Sequence, residues 1–227
     1  MPADADLGDA VTTDALSLAE EVYLVLHYEP LGGALLRNGK VNGSEVQAIS
    51  ASKIVDLVDA GAVTLERPRR STSHSLVVDG QAPQNPVLAE ALELLAAQRK
   101  QRSLGWGLSN LGATAPIVER LVGLGMIAAE RKPEAPLTAT GLAALGGSRA
   151  ALDAAVLDGE GNVADRAILV AAVIHAAKVW RNVYPAKERA EREAIVKALA
   201  RLGSAAAAEG GDRARVIGLL EAEAVAA

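Results

Sequence analysis

The side chains in this sequence whose types and spacing could do chemistry are three histidines, an adjacent pair of carboxylates, two glycine-rich turns and two short basic runs. His27, His74 and His175 stand far apart. None has a second ligand at a metal-site spacing, so no metal site is expected. His175 falls inside an apolar stretch and reads as a hydrogen-bonded core histidine. There is no cysteine, which excludes disulfides, thiolate nucleophiles and thiolate metal ligands. The serines and threonines show no nucleophile elbow. Gly32-Gly33 and Gly159-Glu160-Gly161 match no phosphate loop, because neither follows a strand and opens a helix with a lysine behind it. Glu20-Glu21 stands at a predicted helix start, where carboxylates compensate the positive end of the helix dipole. No catalytic constellation emerges. The expectation is a protein that is not an enzyme and uses no cofactor.

The basic runs are Arg67/Arg69/Arg70 and Arg99/Lys100/Arg102. Each reads first as a solvated face. Brought together by the fold, they would form a patch for phosphate groups.

Whatever positions these groups is built from Ala, Leu and Val. Half of the 227 residues are hydrophobic, only 2% are aromatic and there is no Phe, a composition suited to close-packed helices. The net charge of -5 argues against a whole-surface affinity for nucleic acid or anionic lipid, though not against a local patch. No segment reads as transmembrane, and the acidic, Ala-rich residues 1–16 read as a disordered leader without the features of a signal peptide.

The stretch Arg166 to Val179 is apolar almost all round and too short to span a bilayer, which takes roughly 20 residues. It reads as a buried central helix. Trp180 and Tyr184 are expected to leave the core, and Pro185 to break the helix. An outer helix then runs from Ala186 to Leu202, a weak linker from Gly203 to Gly211, and a terminal helix from Arg213 to Val225.

Upstream, Ser17/Glu20 and Ser44/Gln47 have capping-box spacing. They predict helices from Leu18 to His27 and from Ser44 to Ala60, the second stopped by Gly61. Ala62–Glu66 and Ser75–Val78 read as strands. Asn85-Pro86 opens a helix from Val87 to Gln98, closed by Arg99, Lys100 and Arg102 at its negative end. Ser103 to Ala113 is open between helix and irregular chain. A helix from Ile117 to Leu124 ends at Gly125, with a strand from Met126 to Glu130 behind it. Thr140 is expected to cap a short helix, and after Gly146-Gly147 another runs from Arg149 to Leu157. The unit helix, Gly, short strand thus occurs twice. The fold class expected is mainly α: one domain, residues 17–227, of helices packed round a buried central helix, with small β-hairpins.

Four segments, taken in order, resemble the Golgi phosphoprotein 3 family. They are 17–26 (SLAEEVYLVL), 54–66 (IVDLVDAGAVTLE), 119–127 (ERLVGLGMI) and 166–182 around Ile174-His175-Ala176-Ala177. The chain is similar to bacterial members. The resemblance implies a helical domain with a hydrophobic central helix and, from the eukaryotic members, binding of phosphatidylinositol 4-phosphate at a membrane surface. In lipid-binding members the headgroup is held by a loop aromatic, an arginine in the second helix, and two arginines three apart in the helix before the later glycine. Counted from Gly61 and Gly125, those places hold Val41, Ser50, Leu111 and Thr114 here. The family's arginines are absent, and a hydroxyl supplies no charge. Arg37, Lys40 and Lys53 lie nearby as substitute cations. The family's apolar hairpin shrinks to Arg131-Lys132-Pro133-Glu134-Ala135. The function implied is a non-catalytic peripheral membrane or adaptor protein, cytoplasmic and at the inner membrane face. Its ligand would be an anionic phospholipid headgroup, and a protein partner of unknown identity is expected.

Ile117 to Pro133, followed by Leu137-Thr138-Ala139-Thr140-Gly141, also resembles a winged helix-turn-helix unit, which implies DNA binding as an alternative. A recognition helix needs polar or basic residues at its start, and Ala113-Thr114-Ala115-Pro116-Ile117 supplies almost none. A protein-interaction scaffold that binds neither lipid nor DNA is the third reading.

Overall fold

The computed structural model describes residues 16–36, 41–67, 74–129, 135–158, 164–184, 188–208 and 210–226. Ser17 opens the first helix, α1 (Leu18–His27), with the expected capping box. Its Oγ accepts from the Glu20 N–H at 3.3 Å, and Glu20 Oε2 accepts from the Ser17 N–H at 2.6 Å. Every residue of α1 is buried, the charged Glu20 and Glu21 included. Leu18, Val22, Leu24 and Leu26 are each fully buried, and each such side chain stabilises the fold by roughly 1.5–3 kcal/mol relative to exposure.

The second helix, α2 (Gly43–Asp59), is capped by Asn42 and Glu45 rather than by Ser44 and Gln47. Asn42 lies in the extended region that an N-cap requires, and its Oδ1 reaches the Glu45 N–H at 2.9 Å. After Gly61 come β1 (Val63–Glu66) and β2 (Ser75–Val78), antiparallel, with Glu66 opposite Ser75. Helix α3 (Pro86–Ala96) ends before Arg99. Arg102 therefore does not close it, but lies in β3 (Arg102–Ser103), the third strand of a sheet ordered β1-β2-β3. Next come α4 (Leu104–Asn110), which resolves the ambiguous stretch around Trp106 as helix, and α5 (Ala115–Gly123).

The strand expected from Met126 to Glu130 is reduced to one isolated bridge, Ile127 with Leu137, over its described residues. Thr138, not Thr140, caps α6 (Ala139–Asp153). That helix runs straight through Gly146-Gly147 and continues as a π-helical turn at Ala154–Asp158. The central helix, α7 (Asp165–Ala176), is buried at Ala167, at Leu169 to Ile174 and at Ala176. It packs against α1, α2 and α6, and against two later helices, α9 (Arg189–Ala208) and α10 (Gly211–Ala226). Between α7 and α9 lies the single turn α8 (Trp180–Val183). Trp180 and Tyr184 do not leave the core: Tyr184 is buried and Trp180 packs against the core. The helix ends at Ala176, well before Pro185, which lies outside the described residues. Residues 203–208 extend α9 instead of forming a linker.

Three helices end alike. Gly61, Gly125 and Lys178 all have left-handed φ, at 64°, 69° and 57°. At each, the N–H of that residue and the next turn back to the helix: Gly61 to Val58 O and Ala62 to Leu57 O, Gly125 to Val122 O and Met126 to Leu121 O, Lys178 to His175 O and Val179 to Ile174 O. This is the Schellman closure. On the outer edge of β1, Asp212 at the start of α10 accepts the Leu65 N–H at 2.8 Å. With 67% of the described residues helical, the protein is a mainly α domain with a small antiparallel sheet.

Candidate functional site

Of the residues expected at the headgroup position, Ser50 and Lys53 of α2 lie against the chain between Leu111 and Thr114, where they serve as packing. Lys53, on α2, is 2% exposed and its Nζ donates to Ala113 O at 2.8 Å. Burial pushes its ammonium down to about 8, with the Glu90 carboxylate pulling the other way. Ser50 is fully buried, its Oγ has no hydrogen-bond partner, and a Cβ at Gly112 would stand 2.9 Å from it. Leu111 is 2% exposed. Thr114 holds the N-cap position of α5 without a side-chain cap. Val41 is half-buried just before α2. Arg37 and Lys40 lie outside the described residues.

Among the described residues, the two basic runs flank the same sheet without touching. Arg67 follows β1 and Arg102 lies in β3, on opposite outer strands two spacings apart, about 10 Å. Arg102 donates to Gln98 Oε1 at 2.8 and 3.1 Å and lies 5.2 Å from the centre of the Trp106 ring. Arg99 and Lys100 are exposed. Arg69 and Arg70 fall outside the described residues, as does most of a wing between β1 and β2. Among the histidines, His27 stacks on Tyr23 at 4.4 Å with Nδ1 2.9 Å from Tyr23 O. His74 is half-buried. His175 is half-buried with a buried Nδ1 that makes no hydrogen bond, contrary to the expected bonded core histidine.

A cleft on the outer helix, unmarked in the sequence reading, lies where α8 meets α9. It encloses about 410 Å³ and is lined by Trp180, Arg181, Arg189, Arg192 and Lys197, with Glu193 the one carboxylate. Arg181 stands 5.4 Å from the centre of the Trp180 ring. Arg189 is tied to Glu193 at 2.8 Å, but at 88% and 67% exposure such a pair is weak. The signal was present: 189, 192, 193, 196 and 197 recur at three- and four-residue intervals and so share one helix face. A guanidinium fork beside an aromatic wall suits a phosphate group carried on an organic moiety.

A second assembly is buried. Glu20 of α1 is fully enclosed: its Oε2 accepts from Ser17 N and from Asn85 Nδ2 at 3.1 Å. Its Oε1 lies 2.6 Å from Arg120 Nε, a contact of charge rather than an aligned hydrogen bond. Arg166, at the start of α7, reaches Glu21 at 3.1 Å, Asp56 at 3.3 Å and Leu16 O at 3.1 Å. Asp56 also accepts from Ala19 N at 3.2 Å. Burial pushes its carboxyl up to about 6, against the pull of Arg166 and of the Leu18 and Ala19 amides. Glu20 and Glu21 thus do more than compensate a dipole: they pin α1 to α5 and α7.

No curated protein matches the chain. The family model for Golgi phosphoprotein 3 (GPP34) matches residues 18–220, from the first residue of α1 into α10. Apart from Ser17, this covers the four segments whose resemblance the sequence carried, and the chain belongs to the Golgi phosphoprotein 3 family.

Proposed function

We propose that this protein is a non-catalytic, cytoplasmic, peripheral membrane protein that binds anionic phospholipid headgroups. The carrying observation is the Trp180/Arg181/Arg189/Arg192/Lys197 cleft, where four cations face one carboxylate around an open concavity. It supplies what the family-counted positions lack, since Ser50 and Leu111 are buried there, as is the neighbouring cation Lys53. The family is not a known enzyme family. Among the described residues no helix is long and apolar enough to cross a membrane, so attachment would come from charge, with Trp180 at the interface.

Co-sedimentation with neutral, generally anionic and phosphoinositide-doped vesicles tests this. Retention is expected on anionic vesicles and should weaken with salt, because charge attraction is screened within about 8–10 Å at moderate ionic strength. The double variant Arg189→Glu/Arg192→Glu should lose retention by at least about tenfold, since each cation near such a surface contributes roughly 1 kcal/mol. Retention that survives the double variant would move the site elsewhere. No retention even at low salt would sink the membrane reading.

A further inference from the structure

The buried charges beside α1 border a second concavity, on which the lipid reading does not draw. It encloses about 410 Å³ and is lined by Ser17, Asp56, Gln84, Asn85, Arg120 and Arg166, among others. Its donors and acceptors are unequally spent. Glu20 Oε2 accepts from two donors, and Oε1 is ion-paired with Arg120. Glu21 is held by Arg166, and both Asp56 oxygens accept, one from Arg166 and one from Ala19 N. Arg166 offers five N–H groups, of which Nε, Nη1 and Nη2 each make one bond to the chain. The second N–H of each terminal nitrogen is left over.

Exposure follows the same division. The carboxylate side chains of Glu20, Glu21 and Asp56 are 0%, 5% and 8% exposed, while Arg120 and Arg166 are 22% and 35% exposed. The carboxylates are the back wall that fixes two guanidiniums, and the guanidiniums face the opening. Gln84, exposed at the mouth, and Asn85 beside it add neutral polar groups. A wall with fixed cationic donors and satisfied acceptors recognises an acceptor.

We infer that this concavity is a binding site for a small oxyanion, the carboxylate or phosphate group of a metabolite, held between Arg120 and Arg166. The charges around Asp56 at this concavity are Glu20 and Glu21 from α1, Arg166 from α7 and, across the opening, Arg120 from α5; α3 and the turn before it contribute the neutral Asn85 and Gln84. An oxyanion beside Asp56 opposes that carboxylate's charge, so binding is accompanied by proton uptake and tightens as pH falls through neutrality toward acid.

The test is calorimetric titration and thermal shift of the full chain with sodium acetate and with inorganic phosphate, each against chloride at matched ionic strength. A saturable response to either oxyanion above the chloride baseline is expected. Acetate alone would identify the carboxylate source, and phosphate alone the phosphate source. Arg120 and Arg166 support the fold, so the decisive variants lie at the mouth. Gln84→Glu should weaken binding by roughly three- to tenfold, the effect of one charge at side-chain distance in a solvated cleft, and Gln84→Lys should strengthen it. Arg189→Glu/Arg192→Glu, which reverses charge in the lipid cleft, should leave it unchanged. No response above chloride overturns the inference. So does a response indifferent to Gln84→Glu, or one abolished by the α9 double variant.

Discussion

Asp56 holds its charge at a cost. Its carboxyl is pushed up to about 6 by burial, above the ordinary value of about 3.9. Proton uptake therefore favours the folded state, and this group adds stability as pH falls from about 6 to about 4. Asp56→Asn keeps an acceptor for the Ala19 N–H and removes the titration. Over that interval the difference in unfolding free energy should shift toward the wild type by on the order of 2 kcal/mol. Urea denaturation of both proteins at the two ends of the range measures it. A difference that does not change with pH would mean that the carboxyl binds its proton equally in the folded and unfolded chains. Single residues were the least legible part of the sequence. Lys53 looks like a spare surface cation, yet its ammonium is spent on Ala113 O. Glu20 and Glu21 look like surface carboxylates at a helix start, yet both are buried and paired. Each outcome depends on a partner distant in the chain, which spacing along one helix does not reveal.

Elements were far more legible, because their signals are local. The apolar run of α7, the Ser17/Glu20 box and the glycines at 61 and 125 each announce a feature that the structure contains. Two of the errors, at Gly146-Gly147 and at Gly203, came from reading an interior glycine as a stop. Gly125 ends a helix because its φ is 69°, whereas Gly146 sits within α6, where an added Cβ would meet nothing within 4 Å. Gly203 sits within α9, where an added Cβ would make ordinary contact with His175 at 3.6 Å. Opposite effects of one substitution follow. Gly146→Ala should raise stability by about 0.5–1 kcal/mol, through helix propensity and a less flexible unfolded chain. Gly125→Ala should lower it by about 1–2 kcal/mol, since the left-handed conformation costs an L residue that much. Thermal or urea unfolding of the pair checks the signs, and equal effects would mean that interior and terminal glycines do the same work in this fold. Lys178 shows that a Schellman closure can form without glycine when the core on both sides fixes it: Ile174, Ala177 and Val179 are all buried.

At the scale of the whole molecule, the ionic joint decides how the helices act together. Sequence periodicity named α7 as the centre, and α7 is buried. What it could not show is that α1, with two carboxylates and a histidine, is buried at every position. The charges that looked like solvent-facing groups bind α1 to α2, α3, α5 and α7 through Asp56, Asn85, Arg120 and Arg166. Removing one partner of a buried pair typically costs about 3–5 kcal/mol, because the other charge is left enclosed. Glu20→Gln keeps the size of the side chain and takes away the charge that Arg120 faces. It should therefore lower the unfolding midpoint markedly while leaving one cooperative transition, since the groups that meet at the joint come from most of the chain. Calorimetry of both proteins distinguishes the possibilities. A second transition in the variant would mean that α9 and α10 hold their packing on α7 after the joint has opened, and that the domain divides there. A single transition at an unchanged temperature would mean that Arg120 is satisfied without Glu20, and that α1 is held by its apolar surface and the Glu21–Arg166 pair without this contact.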